Sequence, residues 1–239
     1  MLPAVMFQLT MLAAAPLGFG YVETSSAISE LIAKYVSALQ TLDAAQRNAN
    51  VEVTVQARLT KLNRQATLRA VRATSPSGET YYETRDASGD DMVRREVIAR
   101  YLTAVSQKPD TAEMSVTPSH YRFQLTRMME EPNRRIYVFR LTPKMKRPGL
   151  FKGELWVDGQ TGKPVHESGR FVKNPSVFIK RITFSRDYET RNASGLPVYI
   201  HCIVNTRIAG PAELTIRTSL VSQPEAEAGN SAEATRNAE

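Results

Sequence analysis

Cysteine is almost absent. Cys202 is the only thiol in 239 residues, so no disulfide can close within the chain and no cysteine cluster can hold zinc or an iron–sulfur centre. Histidine is scarce as well: His120, His166 and His201 are scattered along the chain without metal-ligand spacing, and no metal or other cofactor is expected. There is no glycine-rich phosphate loop and no nucleophile-elbow sequence. His201 and Cys202 are neighbours, but adjacent side chains of a strand point to opposite faces, so they cannot act as a nucleophile pair. No catalytic residue is assigned, and an enzyme is not expected.

Charge is missing from residues 1–22, where Met1 to Gly20 is an apolar run broken by Gln8 and Thr10. Small residues, Ala13 to Ala15 and then Gly18 and Gly20, follow the most apolar part, the pattern of a secretory signal peptide. An uncleaved anchor helix of roughly 20 residues is the competing reading. Export places the chain in the periplasm, with inner-membrane anchoring if residues 2–22 are retained. The other end, residues 223–239, carries four glutamates against one arginine and reads as a disordered acidic tail. Residues 23–222 then hold 30 basic and 20 acidic groups, and are expected to form one domain.

Within that domain the first pattern is helical. Ile28, Leu31, Ile32, Tyr35, Val36, Leu39 and Leu42 share one face of a helix over 25–47. The period then changes to two: in Val51 to Thr60 every odd residue is apolar and every even one polar, a strand with one wet face. A return strand over 66–74 slips phase at Ala70 and Val71, where a bulge is expected. A third strand is expected over 80–84, and Ser88-Gly89-Asp90-Asp91 leads into a second helix at about 92–105. From Ser119 onward the chain is strand and turn. Tyr121, Phe123 and Leu125 alternate, as do Tyr137, Phe139 and Leu141, with Glu131-Pro132-Asn133 as the hairpin loop. Five further strands follow, over 150–158, 163–172, 179–191, 198–208 and 212–220.

The expected fold is α+β and mostly β: one large antiparallel sheet of about ten strands, with two helices. A sheet that large must curl, giving an incomplete barrel whose concave side the helices cover. Two helices are few for such a surface, and a hydrophobic cavity between them and the sheet is expected. Its lining would come from Val53, Val55, Leu59, Phe123, Leu125, Phe139 and Leu141.

The densest local signal is Leu141-Thr142-Pro143-Lys144 followed by Leu155-Trp156-Val157-Asp158, then Thr161-Gly162 and Pro164-Val165. Physically this is a strand, a basic loop and a hairpin whose Asp158 to Lys163 turn uses two glycines at positions expected to need positive φ. The arrangement resembles the LolA-like family of outer-membrane lipoprotein-sorting proteins, as does the order of helix, long hairpin, helix and consecutive strands. The resemblance implies a half-barrel that carries acyl chains, as lipid or acylated protein cargo, across the periplasm. A non-enzymatic, monomeric carrier is the function it implies. An envelope sensor or protein-interaction module on the same fold is the alternative.

The basic loop carries Lys144, Lys146, Arg147 and Lys152 around Leu150 and Phe151. It is expected to touch anionic membrane surface, with the two apolar side chains dipping in, or else to be a solvated hairpin end. Nucleic acid is not an expected partner, because no recognition helix is visible.

Overall fold

The computed structural model describes residues 25–47, 50–74, 79–106, 114–174, 179–189, 197–207 and 210–221. The expected export segment 1–22 and acidic tail 223–239 lie outside them. The chain begins with α1 (Ser25–Arg47), then β1 (Val51–Leu59), a 3-10 turn (Thr60–Leu62), β2 (Arg64–Thr74) and β3 (Thr80–Gly89). A second helix, α2, is an α-helical turn Asp91–Val93, a π-helical segment Arg94–Ala99 and an α-helical segment Arg100–Ser106. Seven strands follow: β4 (Tyr121–Glu131), β5 (Arg134–Pro143), β6 (Phe151–Asp158), β7 (Pro164–Phe171), β8 (Ile179–Tyr188), β9 (Pro197–Thr206) and β10 (Pro211–Leu220).

All ten strands form one antiparallel sheet in the order β3-β2-β1-β10-β9-β8-β7-β6-β5-β4. It is open, with β3 and β4 at its edges. Every neighbour is consecutive in sequence except β1 and β10, whose nine-residue ladder runs from Val51 opposite Leu220 to Leu59 opposite Ala212. The alternation in β1 does what the pattern dictates: Val51, Val53, Val55, Ala57 and Leu59 are all buried on the face that meets the helices. We call that face inner.

Asp90 starts α2 by accepting the Val93 N–H at 3.0 Å, a side-chain cap that satisfies one of the helix's free donors. Strand β3 runs five residues beyond the expected 80–84. Its Arg85 to Gly89 stretch lacks apolar alternation because it lies on an exposed edge and pairs with β2 alone among the strands. The irregularity expected at Ala70 is present, but the additional residue is Arg85 of β3, which slips between the pairs Arg69–Asp86 and Ala70–Thr84. Further irregularities lie in the β4–β5, β6–β7 and β8–β9 ladders, each adding local twist to a sheet too wide to stay flat.

The turn between β6 and β7 is built around Asp158, which is buried and accepts the backbone N–H groups of Gln160 and Thr161 at 2.8 Å each. Only one of its two glycines has positive φ: Gly162, at 71°. Gly159 is there for space, since a Cβ would lie 2.6 Å from the Tyr137 ring. The turn docks on α1. A Cβ on Gly162 would lie 2.9 Å from the Lys34 carbonyl carbon, and the Lys34 ammonium donates to the Gln160 carbonyl. Gly162→Ala should therefore cost about 1–3 kcal/mol, from the left-handed backbone and the contact with α1. A lower urea midpoint with unchanged slope would show it, and an unchanged midpoint would contradict this account of the turn.

Candidate functional site

Apolar side chains of the inner face gather in two separate clusters. In the first, α2 covers β1, β2 and β10: Val93, Ile98 and Leu102 pack on Val53, Val55, Leu59, Ala66, Leu214 and Ile216. In the second, α1 covers β4, β5, β6 and β8: Leu31 and Tyr35 pack with Tyr121, Phe139, Leu141, Leu155 and Phe184. Strand β9 lies between. None of its ten residues is fully buried, whereas β10 beside it alternates buried and half-buried from Pro211 to Ile216. Ile200, Cys202 and Val204, the inner-face residues of β9, flank the first cluster, and Cys202 touches both. An apolar strip on β9 thus joins the two helix-covered clusters and is less buried than the core on either side of it.

One end of the strip is polar. Glu167 of β7 and Arg186 of β8 are directly opposite each other, and the Arg186 Nη1 donates to the Glu167 Oε2 at 3.1 Å. The Glu167 side chain is only 5% exposed, while that of Arg186 is 35% exposed. The guanidinium also stacks 4.6 Å over the Phe184 ring, which shares its strand face. Tyr188, next on that face, hydrogen-bonds to both members of the pair; burial above all, and then Glu167, pushes its hydroxyl pKa up. Burial pulls the guanidinium pKa down, but Tyr188, Glu167 and Tyr101 of α2 outweigh it, and Arg186 stays firmly charged. Tyr35 of α1 faces the same group. It is 1% exposed, its hydroxyl has no hydrogen-bond partner among the described residues, and burial followed by the Glu167 charge raises its pKa. Tyr35 of α1 and Tyr101 of α2 thus both feel the charges of one partly buried ion pair.

The structure divides the seven side chains expected to line a single cavity. Val53, Val55 and Leu59 belong to the α2 cluster; Phe139 and Leu141, with the half-buried Phe123 and Leu125, belong to the α1 cluster. Five of the seven, Val53, Val55, Leu59, Phe139 and Leu141, are fully buried within these clusters. Of the six loop residues, Lys144, Lys146, Arg147 and Lys152 are exposed as expected. Leu150 and Phe151 are a correction: both are buried. Phe151 packs edge-on against Phe184 at 4.9 Å and donates its backbone N–H to the Tyr121 hydroxyl at 3.2 Å. The aromatic packing available inside exceeds anything a loop could gain outside, and Met145, 55% exposed, is the apolar side chain left among the cations.

Tyr101, Glu167, Arg186 and Tyr188 were not among the expected site residues. Strand phase carried the signal. In Ile182-Thr183-Phe184-Ser185-Arg186-Asp187-Tyr188 the even positions are the inner ones, which puts Arg186 and Tyr188 on the apolar face.

His166 pairs with Asp187 at 2.6 Å and tilts against the Trp156 ring at 4.9 Å, so it is tied into the outer face. His120 sits at 3.2 Å from the Ser115 carbonyl. His201 and Cys202 do point to opposite faces: Cys202 lies between Phe184 and Leu214, His201 between Ser185 and Thr215. Burial pushes the Cys202 thiol pKa up to about 11. Its alkylation by iodoacetamide at pH 8 should run about two orders of magnitude slower than that of an ordinary thiol, and speed up about tenfold per pH unit toward 11. A rate at pH 8 matching free cysteine would show an open, solvated thiol instead.

Two depressions, of about 400 and 600 Å³, lie on the outer face. Arg140, Lys152, Glu154 and Arg170 line the first; Gln56, Arg58, Gln65 and Glu213 are among those lining the second. Neither reaches the strip between the helices.

No family model and no curated protein matches the sequence. Solved structures similar to this chain include a LolA superfamily protein from Nitrosomonas europaea, 15% identical over 80% of this chain and 94% of that one, with a TM-score of 0.35. A domain described as an outer membrane lipoprotein-sorting protein, from Vibrio parahaemolyticus, is 8% identical over 80% and 94%, with a TM-score of 0.36. MucB in its complex with MucA, from Pseudomonas aeruginosa, is 12% identical over 78% and 94%, with a TM-score of 0.27. The first of these bears the family name that the strand-turn-strand motif suggested. Likenesses of this degree say nothing about what the chain binds.

Proposed function

We propose that the protein is a non-enzymatic carrier of amphiphiles, lipid or acylated protein, in the periplasm. The observation that carries this reading is the half-buried apolar strip of Ile200, Cys202 and Val204 between two more deeply buried clusters. An acyl chain laid along it would gain roughly 0.8 kcal/mol per methylene buried. Parting of α1 and α2 would then open the flanking side chains, from Val55 and Leu59 on one side to Phe139 and Leu141 on the other, and their return would release the cargo. The exposed Lys144, Lys146 and Arg147, with Met145 among them, form a docking point for anionic lipid at the mouth of the loop. Among the described residues no helix is long and apolar enough to cross a membrane.

Native mass spectrometry of protein purified from cells without harsh detergent tests the reading. Co-purified acyl species, together with displacement of a bound neutral fluorophore by added acyl lipid, are the expected result. A clean apo mass with no displacement would sink it. That outcome favours the second reading, an envelope sensor or protein-interaction module, which has its own support in the deep burial of apolar side chains beneath both helices. For the loop, reversing Lys144, Lys146 and Arg147 to glutamate should abolish flotation with phosphatidylglycerol vesicles at low salt and leave the unfolding midpoint unchanged.

A further inference from the structure

The buried ion pair at the end of the strip constrains what kind of head group a cargo can bring there. Glu167 is almost wholly enclosed and already receives hydrogen bonds from Arg186 and Tyr188. The pair is neutral in sum. A free fatty acid entering head first would add a second carboxylate to one guanidinium and leave one negative charge buried without compensation. An ester or amide carbonyl brings no charge. It needs only a donor, and two belong to this cluster: the partly exposed Arg186 guanidinium, and the buried Tyr35 hydroxyl, which feels the Glu167 charge and has no hydrogen-bond partner among the described residues. A buried hydroxyl left unpaired is costly, and a carbonyl acceptor placed beside it removes that cost.

Resting on the carrier reading above, we infer that Tyr35, Glu167, Arg186 and Tyr188 form a head-group site for the uncharged carbonyl of an esterified or amide-linked acyl chain, and that the site rejects free fatty acids. Chain burial supplies affinity for either kind of molecule, while the ion pair supplies the choice between them. Glu167 is the discriminating residue, because its charge is what a carboxylate would meet.

The test uses the full chain at pH 8 and the displacement of N-phenyl-1-naphthylamine by monolauroylglycerol or by laurate, which share one acyl chain. The ester should displace the probe at a concentration about tenfold or more below that needed for laurate. Glu167→Gln should close that gap by tightening laurate binding, since Arg186 then has a charge to offer. A lauroyl-amide peptide distinguishes the sources: matching the ester, it places recognition at the carbonyl whichever molecule carries it. Equal displacement by ester and laurate, or tighter laurate, overturns the head-group site and leaves the carrier standing. Displacement by neither overturns both. The comparison on the unmodified protein decides the matter even if Glu167→Gln does not fold.

Discussion

Phe139→Ala should lower the free energy of unfolding by about 3–5 kcal/mol, the usual cost of truncating a packed core phenylalanine. Phe139 is 1% exposed, meets Phe123 edge-on at 5.9 Å, and lies between Leu125 and Leu155 on the neighbouring strands. The size of the loss discriminates between two pictures of the inner face. A side chain lining a water-filled cavity has few partners to lose, and its truncation would cost well under that amount. One that fills the space under α1 leaves a hole. Urea unfolding, followed by both tryptophan fluorescence and circular dichroism, gives the number; a loss below about 1 kcal/mol would mean that α1 does not rest on Phe139 in solution.

Arg186→Met should have a comparable effect for an electrostatic reason. It strands the Glu167 carboxylate, 5% exposed, with only the Tyr188 hydroxyl for company. Breaking a fully buried pair in this way costs about 3–5 kcal/mol, and because Arg186 itself is 35% exposed the expected loss here is about 2–4 kcal/mol. The companion measurement is the double variant Arg186→Met with Glu167→Leu. Removing both charges should recover most of the loss, since an apolar pair of similar volume suits the Phe184 side of the site. If the double variant is as unstable as the sum of the two single ones, the charges are not coupled and the site is not the unit described above.

Much of this architecture was legible in residue patterns, and the reasons differ by element. Strand β1 alternates strictly because one face meets α2 and the other meets water, so its sequence records its environment residue by residue. The α1 stripe is equally plain. Strand β9 records nothing of the kind: all ten of its residues are half-buried, and Tyr199, His201 and Ile203 share the strand with Ile200, Cys202 and Val204 without a clear division. The strip was invisible because neither face of β9 is deeply buried or fully exposed. Arg186 and Glu167 escaped because a charged residue on a strand is ordinarily read as wet. Their partnership depends on a cross-strand register between β7 and β8 that no local pattern encodes. Leu150 and Phe151 misled in the opposite direction, since two apolar residues beside four cations look like a membrane finger until Tyr121 and Phe184 are known to be waiting beneath them.

The sheet order has a consequence for how the molecule is put together. Its first and last elements are each lodged in the half of the fold that the rest of their own neighbourhood does not build: α1, which leads directly into β1, packs on β4, β5, β6 and β8, while β10, which completes the long meander from β4, closes the cluster of β1, β2 and α2. The two halves are clasped like hands with exchanged fingers. A chain divided between β3 and β4 would yield one fragment whose helix α1 has lost the strands it packs on and another whose strand β10 has lost its ladder to β1, so the two pieces should reassemble as a specific pair. In the intact chain, the hairpins of β1, β2 and β3 must wait for the last strand to be made before their inner edge is covered.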